Sequence, residues 1–427
     1  MKGRPARVAP GGPSRGLVHT RGMAGFDVTQ FRSQFPALAD GAAHFDGPGG
    51  SQVPRPVASA VADTLCSAVA NRGANTAAER RADAIVLDAR RAAADLVGAA
   101  PGGIVFGRSM TQLTYDLART LAKGWGPGDE VVVTTLDHDA NIRPWVQAAE
   151  ARGATVRWAE FEAVTGELDV AAVTELLSER TRVVAVTAAS NLLGTRPDIS
   201  AITAAAREAG ALSYVDGVHL TPHALIDVEA LGADFYACSP YKFFGPHLGF
   251  VAARPELLET LTPDKLAPST DAVPERFELG TLPYELLAGT TAAVDFLAGI
   301  GAGGPTVSRR DALAAAFDAV ARHEDALMAN LEDGLAATGR VTLHGSRMRR
   351  RTPTVLFSVD GLAPADVYAR LAERGVNAPA GTFYALECSR RLGLGDTGAV
   401  RAGIAPYTTE SEVQQLVTAV EDIATAD

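Results

Sequence analysis

What most narrows the fold is an alternation that begins near residue 100: short β-branched runs separated by Ala-rich stretches of helical pattern. "EVVVTT" (130–135), "TVRWAEF" (155–161), "RVVAVTAAS" (182–190), "ALSYVD" (211–216), "DFYACS" (234–239) and "LGFVAA" (248–253) read as strands. The intervening "DISAITAAAREAG" (198–210) reads as a helix that stops at Gly210, a common helix end. This order predicts an α/β fold built on a mainly parallel sheet. After "GIGAGGPT" (299–306), a Gly/Pro-rich hinge, a second unit opens with the long helical pattern "SRRDALAAAFDAVARHEDALMANLEDGLAAT". It adds strands at "PTVLFSV" and "AVRAGIA" and closes on a helix after "PYTTESEV", where Thr409 and Glu412 have capping-box spacing. The expected organisation is therefore a basic tail (1–25), an N-terminal segment packing on the small domain (26–45), a large domain (46–300) and a small α+β domain (301–427). A chain of 427 residues suits two domains, and an active site commonly lies between such units.

Composition removes several function classes. The formal net charge is −11 and the body of the chain carries no basic stripe, which argues against nucleic acid or an anionic membrane as partner. No apolar run reaches the roughly 18–20 residues of a membrane span. Cys66, Cys238 and Cys388 are odd in number and far apart; they make neither a disulfide framework nor a metal site, so a cytoplasmic location is expected. The first residues, "MKGRPARVAPGGPSRGLVHTRGM", are basic and broken by prolines. They lack the amphipathic helix of a transit peptide and the apolar core of a secretory signal. A disordered tail, or a true start at Met23, is the expectation.

Polar clusters follow four of the strands: "LDHDAN" (136–141), "SN" (190–191), "DGVH" (216–219) and "SPYK" (239–242). In open α/β sheets ligands bind at the carboxyl ends of strands, so these clusters converge on one crevice. Each has an ordinary alternative: His138 and His219 as satisfied loop histidines, Asp216 as a cap or turn acid, Arg401 as a surface ion-pair partner. Lys242 resists that treatment, because Phe243, Phe244 and Pro246 leave its amine a poor path to water. Taken together, the set suits pyridoxal phosphate (PLP). A buried lysine readily gives up its proton and forms a Schiff base, and Asp216 can pair with the pyridine nitrogen. His138 can stack on the ring and Asn191 can reach its hydroxyl. "GRSMTQLTYDLA" (107–118) offers a helix start for the phosphate.

"HFDGPGG" (44–50), "GRSMTQ", "TTLDHDAN", "SNLLGT", "YVDGVHLTPH", "CSPYKFFGPH", "ELGT" (278–281) and "VRAGIAPYTT" occur in an order and spacing that resemble the class V aminotransferase family, fold-type I PLP enzymes, within its cysteine desulfurase-like group. The resemblance spans roughly residues 25 to 425. It implies a large domain with a mainly parallel seven-stranded sheet and a smaller α+β C-terminal domain. It also implies PLP bound as a Schiff base to Lys242, Asp216 on the pyridinium, His138 stacked, and Asn191 and His219 near the ring hydroxyl. Ser109, Met110, Thr111 and Ser239 would hold the phosphate. Gly280 and Thr281 would reach the phosphate of a partner subunit, making a homodimer with its active site near the interface. Arg401 would hold the substrate α-carboxylate, a task suited to a planar guanidinium.

The chain departs from a desulfurase at several points: Tyr241 and Asp139 stand where many have histidines, and the nucleophile segment differs. Such enzymes use a thiolate on a mobile loop; in "APAGTFYALECSRRLGL" (378–394) the matching position is Tyr384, with Cys388 four residues on. The likeness is to a subgroup lacking the nucleophile. The expected reaction is β-elimination of cysteine or an S-substituted cysteine by Cβ–S cleavage. Alternatives are a desulfurase using Cys388, chemistry at Cα (transamination, epimerisation, oxidative decarboxylation), or a silent PLP-binding dimer. Tyr384, Phe383 and Tyr407 are the candidates for the substrate side-chain pocket.

Overall fold

The computed structural model describes residues 26–301, 307–345 and 350–426. The expected tail at 1–25 and most of the expected hinge lie outside them. Thirteen strands are described: β1 (Ala43–His44), β2 (Ile104–Gly107), β3 (Glu130–Thr134), β4 (Thr155–Ala159), β5 (Thr181–Thr187), β6 (Leu212–Asp216), β7 (Phe235–Cys238), β8 (Gly249–Ala253), β9 (Val341–His344), β10 (Thr354–Val359), β11 (Val376–Asn377), β12 (Ala380–Gly381) and β13 (Ala399–Gly403).

Seven of them form one sheet in the order β2-β8-β7-β6-β5-β3-β4. The run from β7 through β6, β5 and β3 to β4 is parallel, and β8 is antiparallel to both β7 and β2. Successive residues of a strand face opposite sides of its sheet, so strands covered on both faces read as continuous apolar runs. β5 shows this: Val184 and Val186 enter one core cluster, Val183 and Ala185 the other. β4 lies at the sheet edge and its exposure alternates accordingly.

The smaller C-terminal sheet is antiparallel, in the order β12-β13-β10-β9. Its core includes Leu331 and Leu335 from the Arg309–Ala337 helix and Leu416 and Val420 from the Glu410–Thr425 helix. Thr409 and Glu412 form the capping box at the start of the latter. Along β13, Val400 and Ala402 point into this core while Ala399 belongs to the large-domain cluster. The alternation therefore places Arg401 on the side facing the large sheet. Residues 26–45 touch both units. Phe31 and Phe35 pack on Phe244 and Phe296 at ring separations of 5.2–5.7 Å, whereas β1 pairs in parallel with β11 and Phe45 enters the C-terminal core. No helix among the described residues is long and apolar enough to cross a membrane.

Candidate active site

The carboxyl ends of β3, β5, β6 and β7, neighbours in the sheet, open onto a cavity of about 750 Å³. Its wall includes Ser109, Met110, Thr111, His138, Asn191, Asp216, His219, Ser239, Lys242, Tyr384 and Arg401. Gly280 and Thr281 are exposed and do not border the cavity of their own chain. Tyr407 is not part of it either. It is buried against Phe35 and Phe244, so of the three aromatic candidates only Phe383 and Tyr384 line the space.

Lys242 closes a short helical turn, Pro240–Lys242, just after β7. Its Nζ donates to the carbonyl of Pro48 and stands 4.9 Å from the centre of the Tyr241 ring. Burial, aided by the Arg401 cation, lowers its pKa to about 7. A substantial neutral fraction therefore exists at neutral pH. Asp216 ends β6 and accepts from the Val218 N–H at 2.9 Å. Burial raises its pKa to about 6, against the opposing pull of that bond and of Lys242, so it remains an anion at neutral pH. Behind it, Asp137 accepts from Thr134 Oγ1 and, at 2.7 Å, from Asn141 Nδ2. Burial lifts Asp137 to about 8, with Asp216 adding to the rise; one carboxyl is thus neutral while the other is charged.

His138 accepts from the Ala140 N–H through Nδ1 at 3.0 Å, which leaves the proton on Nε2. Burial first, then Lys242 and Arg401, lower its pKa to about 4, giving an uncharged flat ring. His219 is buried, and its Nε2 meets Thr352 Oγ1 at 2.9 Å and Thr354 Oγ1 at 3.1 Å.

At the far end the Met110–Leu121 helix begins. The Ser109 hydroxyl accepts from the Gln112 N–H at 3.1 Å, while the N–H groups of Met110 and Thr111 precede the first intrahelical bond. Such a helix start favours an anion. Gly249 of β8 lets this turn approach: a Cβ there would lie 2.2 Å from Met110 N.

Arg401 is fully buried. It donates through Nη2 to Asp46 Oδ1 at 2.7 Å and through Nη1 to the Asn191 carbonyl at 3.1 Å. Its guanidinium carbon lies 3.7 Å from the centre of the Phe383 ring, and Nε has no partner. Phe383 and Tyr384 form a strap with φ of 51° and 61°, a region unfavourable for bulky residues. The strap is tied down by Asn191 Nδ2 to the Phe383 carbonyl at 2.9 Å and by the Asp139 N–H to the Tyr384 carbonyl at 2.7 Å. The Tyr384 ring faces His138 at 5.5 Å.

The match to the class-V aminotransferase family model runs over residues 43–416. The chain belongs to this family. It is 35% identical to an aminotransferase-like protein of Gibberella zeae, over 93% of this chain and 98% of that one. It is 31% identical to a probable cysteine desulfurase of Pseudomonas aeruginosa, over 92% and 97%. The crystal structure of the Escherichia coli cysteine desulfurase CsdA superposes with a TM-score of 0.82 at 30% identity, covering 94% of this chain and 99% of that one. Class-V aminotransferases of this fold-type I group are PLP-dependent enzymes, and the large mixed sheet with its smaller C-terminal sheet domain is their architecture.

The cavity fits that cofactor. It offers a buried amine, an anionic carboxylate at a strand end, a helix start shaped by Gly249, and an Asn191 Oδ1 that is buried without a partner. None of the three cysteines borders the cavity. Cys66 is exposed elsewhere; Cys238 is buried beside Thr221, its thiol pushed up to about 12. Cys388 is buried in the Leu386–Arg391 helix, and burial holds its thiol well above the usual range. The structure also adds wall residues that the motifs did not single out for a role: Asp46, Tyr115, Arg143 and Gln147. Asp46 sits inside "HFDGPGG", and its acidity in a run of glycines was the available signal. Arg143 and Gln147 share the Arg143–Arg152 helix and look like any solvated helix face in the sequence.

Proposed function

We propose that this enzyme cleaves the Cβ–S bond of cysteine or an S-substituted cysteine by β-elimination, as a cytoplasmic homodimer holding PLP through Lys242. Bound there, PLP would supply an electron sink for the carbanion at Cα. Asp216, ionised above about pH 6, would hold the pyridine nitrogen in its protonated form. The neutral His138 ring would cover one face, Asn191 and His219 would meet the ring hydroxyl side, and Ser109, Met110, Thr111 and Ser239 would hold the phosphate. Gly280 and Thr281, exposed on their own chain, would complete the phosphate site of the partner subunit. Arg401 would grip the substrate carboxylate with Tyr384 over the side chain. Lys242, with a pKa near 7, is suited to take the Cα proton. Lys242 Nζ would hold that proton while the thiolate leaves Cβ and the Cα–Cβ double bond forms from the pair the proton left behind. Water then converts the released enamine to pyruvate and ammonia.

What favours elimination over desulfuration is that no thiol borders the cavity. Tyr384 fills the strap position that the resemblance would give to a desulfurase thiol, and Cys388 is buried, with burial raising its thiol, and is not part of the cavity wall. Inert buried thiols do not serve as nucleophiles. The test is product analysis after mixing the holoenzyme with L-cysteine and, separately, S-methyl-L-cysteine. Pyruvate and ammonia in equal amounts support the proposal. Alanine with a protein-bound persulfide overturns it in favour of desulfuration. Neither product from either substrate replaces it with Cα chemistry on another amino acid, or with a silent dimer if the cofactor spectrum never moves.

A further inference from the structure

Asp46 stands in an unusual place. Its carboxylate lies on Arg401, the buried one of the two arginines that border the cavity, and the local chain is shaped to put it there. A Cβ on Gly49 would fall 2.4 Å from Asp46 Oδ2, and a Cβ on Gly403 would fall 2.1 Å from Pro48 Cδ. Only glycine at these positions lets the 46–49 turn fold against β13 with the acid aimed at Arg401. The pair is unequal: the Arg401 side chain is 2% exposed, that of Asp46 36%. It is also incomplete. Asp46 takes Nη2 through one oxygen, and the adjoining Nε is buried without a partner. Nε and Nη2 form the edge of a guanidinium that a carboxylate spans with two parallel bonds. The resident acid therefore half-fills the grip.

We propose that Asp46 is a specificity-determining residue that competes with the substrate carboxylate for Arg401, holding the grip closed until a ligand able to span Nε and Nη2 displaces it. The inference rests on Arg401 being the carboxylate grip. A buried guanidinium left alone is costly, so Asp46 keeps the free enzyme intact. An incoming carboxylate must outcompete it, and an amine without a carboxylate gains nothing from Arg401. A binding site that is closed most of the time weakens apparent affinity in proportion to its open fraction.

The experiment compares wild-type holoenzyme with Asp46→Asn and Arg401→Lys. It measures the dissociation constant of propionate by calorimetry, KM for the amino-acid substrate, and the affinity for 2-mercaptoethylamine, which carries no carboxylate. In Asp46→Asn, propionate binding and KM should improve by about tenfold, on the view that the grip is open roughly a tenth of the time, with no gain for 2-mercaptoethylamine. Arg401→Lys should weaken propionate and raise KM. Unchanged or weaker propionate binding in Asp46→Asn, with Arg401→Lys behaving as stated, overturns the competition alone. No effect of Arg401→Lys on either quantity sinks the grip itself. A gain for 2-mercaptoethylamine equal to that for propionate also overturns the proposal, since it would report only a looser site. Should Asp46→Asn fail to fold, the wild-type crystal structure with propionate decides. Asp46 turned off Arg401 with propionate on Nε and Nη2 supports displacement; Asp46 still bonded to Nη2 overturns it.

Discussion

Lys242 is the residue on which the proposed chemistry turns, and its surroundings make a prediction that needs no substrate. Of the described lysines, Lys123 pairs with Asp264 and Lys265 with Asp271, and only Lys242 borders the cavity. Its pKa falls from 10.5 to about 7 on burial. Between those two values the unfolded chain binds more protons than the native one, so this group makes the cofactor-free protein more stable as pH rises from about 7 toward 10.5. Asp216 acts in a separate window: its pKa rises from 3.8 to about 6, so it makes stability fall as pH rises between those values. Asp137 below about pH 8 and the buried thiols of Cys238 and Cys388 above about pH 9 pull the other way, so the Lys242 share is read as a difference. In denaturant unfolding of the apo-proteins at pH 7, 8.5 and 10, stability should rise less, or fall more, with pH in Lys242→Met than in wild type. An unchanged slope in the variant would place the titrating group elsewhere.

At the scale of elements, the strand ends carry the candidate site and were legible because each apolar run stops at a polar cluster, not because the strands are long: β3 and β6 have five residues and β7 four. "EVVVTT" and "ALSYVD" sit within a residue of β3 and β6, and the polar clusters behind them supply His138 and Asp216. The four-residue β2, "IVFG", has no alternation and adjoins a glycine, so it gave no comparable signal; β1, β11 and β12 are shorter still. The pairing of Asp46 with Arg401 and the closure of the Phe383–Tyr384 strap are tertiary events between segments hundreds of residues apart, invisible to local pattern. Two predictions belong to these elements. Gly249→Ala would push a methyl group into the turn at Ser109 and Met110, costing about 1–3 kcal/mol as overpacking does. It should also loosen the phosphate end, read as faster loss of PLP on dialysis; wild-type retention would separate that turn from the cofactor. Tyr384 is 75% exposed at φ 61°, and relieving a left-handed backbone is worth about 1 kcal/mol. Tyr384→Gly should therefore hold or raise the melting temperature while raising KM for substrate. A fall in stability with unchanged KM would make the ring a structural prop.

For the whole molecule, the two sheets and the N-terminal segment place Arg401 and Phe383 over the carboxyl ends of the large sheet, so the cavity exists only in the assembled chain. The proposed reach of the exposed Gly280 and Thr281 into a partner subunit adds one further level. The holoenzyme should run at twice the mass of one chain in light scattering, and Thr281→Ala should weaken PLP retention without altering the dimer. A monomer with full cofactor content would remove the partner's contribution. The family, the sheet and the cavity meet in one claim, that Lys242 carries the cofactor, and borohydride reduction of the holoenzyme followed by peptide mass spectrometry tests it most directly. A pyridoxyl phosphate adduct confined to the peptide containing Lys242 is the expected result. The same adduct on Lys123 or Lys265, or no adduct in protein that retains its visible absorption, would contradict it.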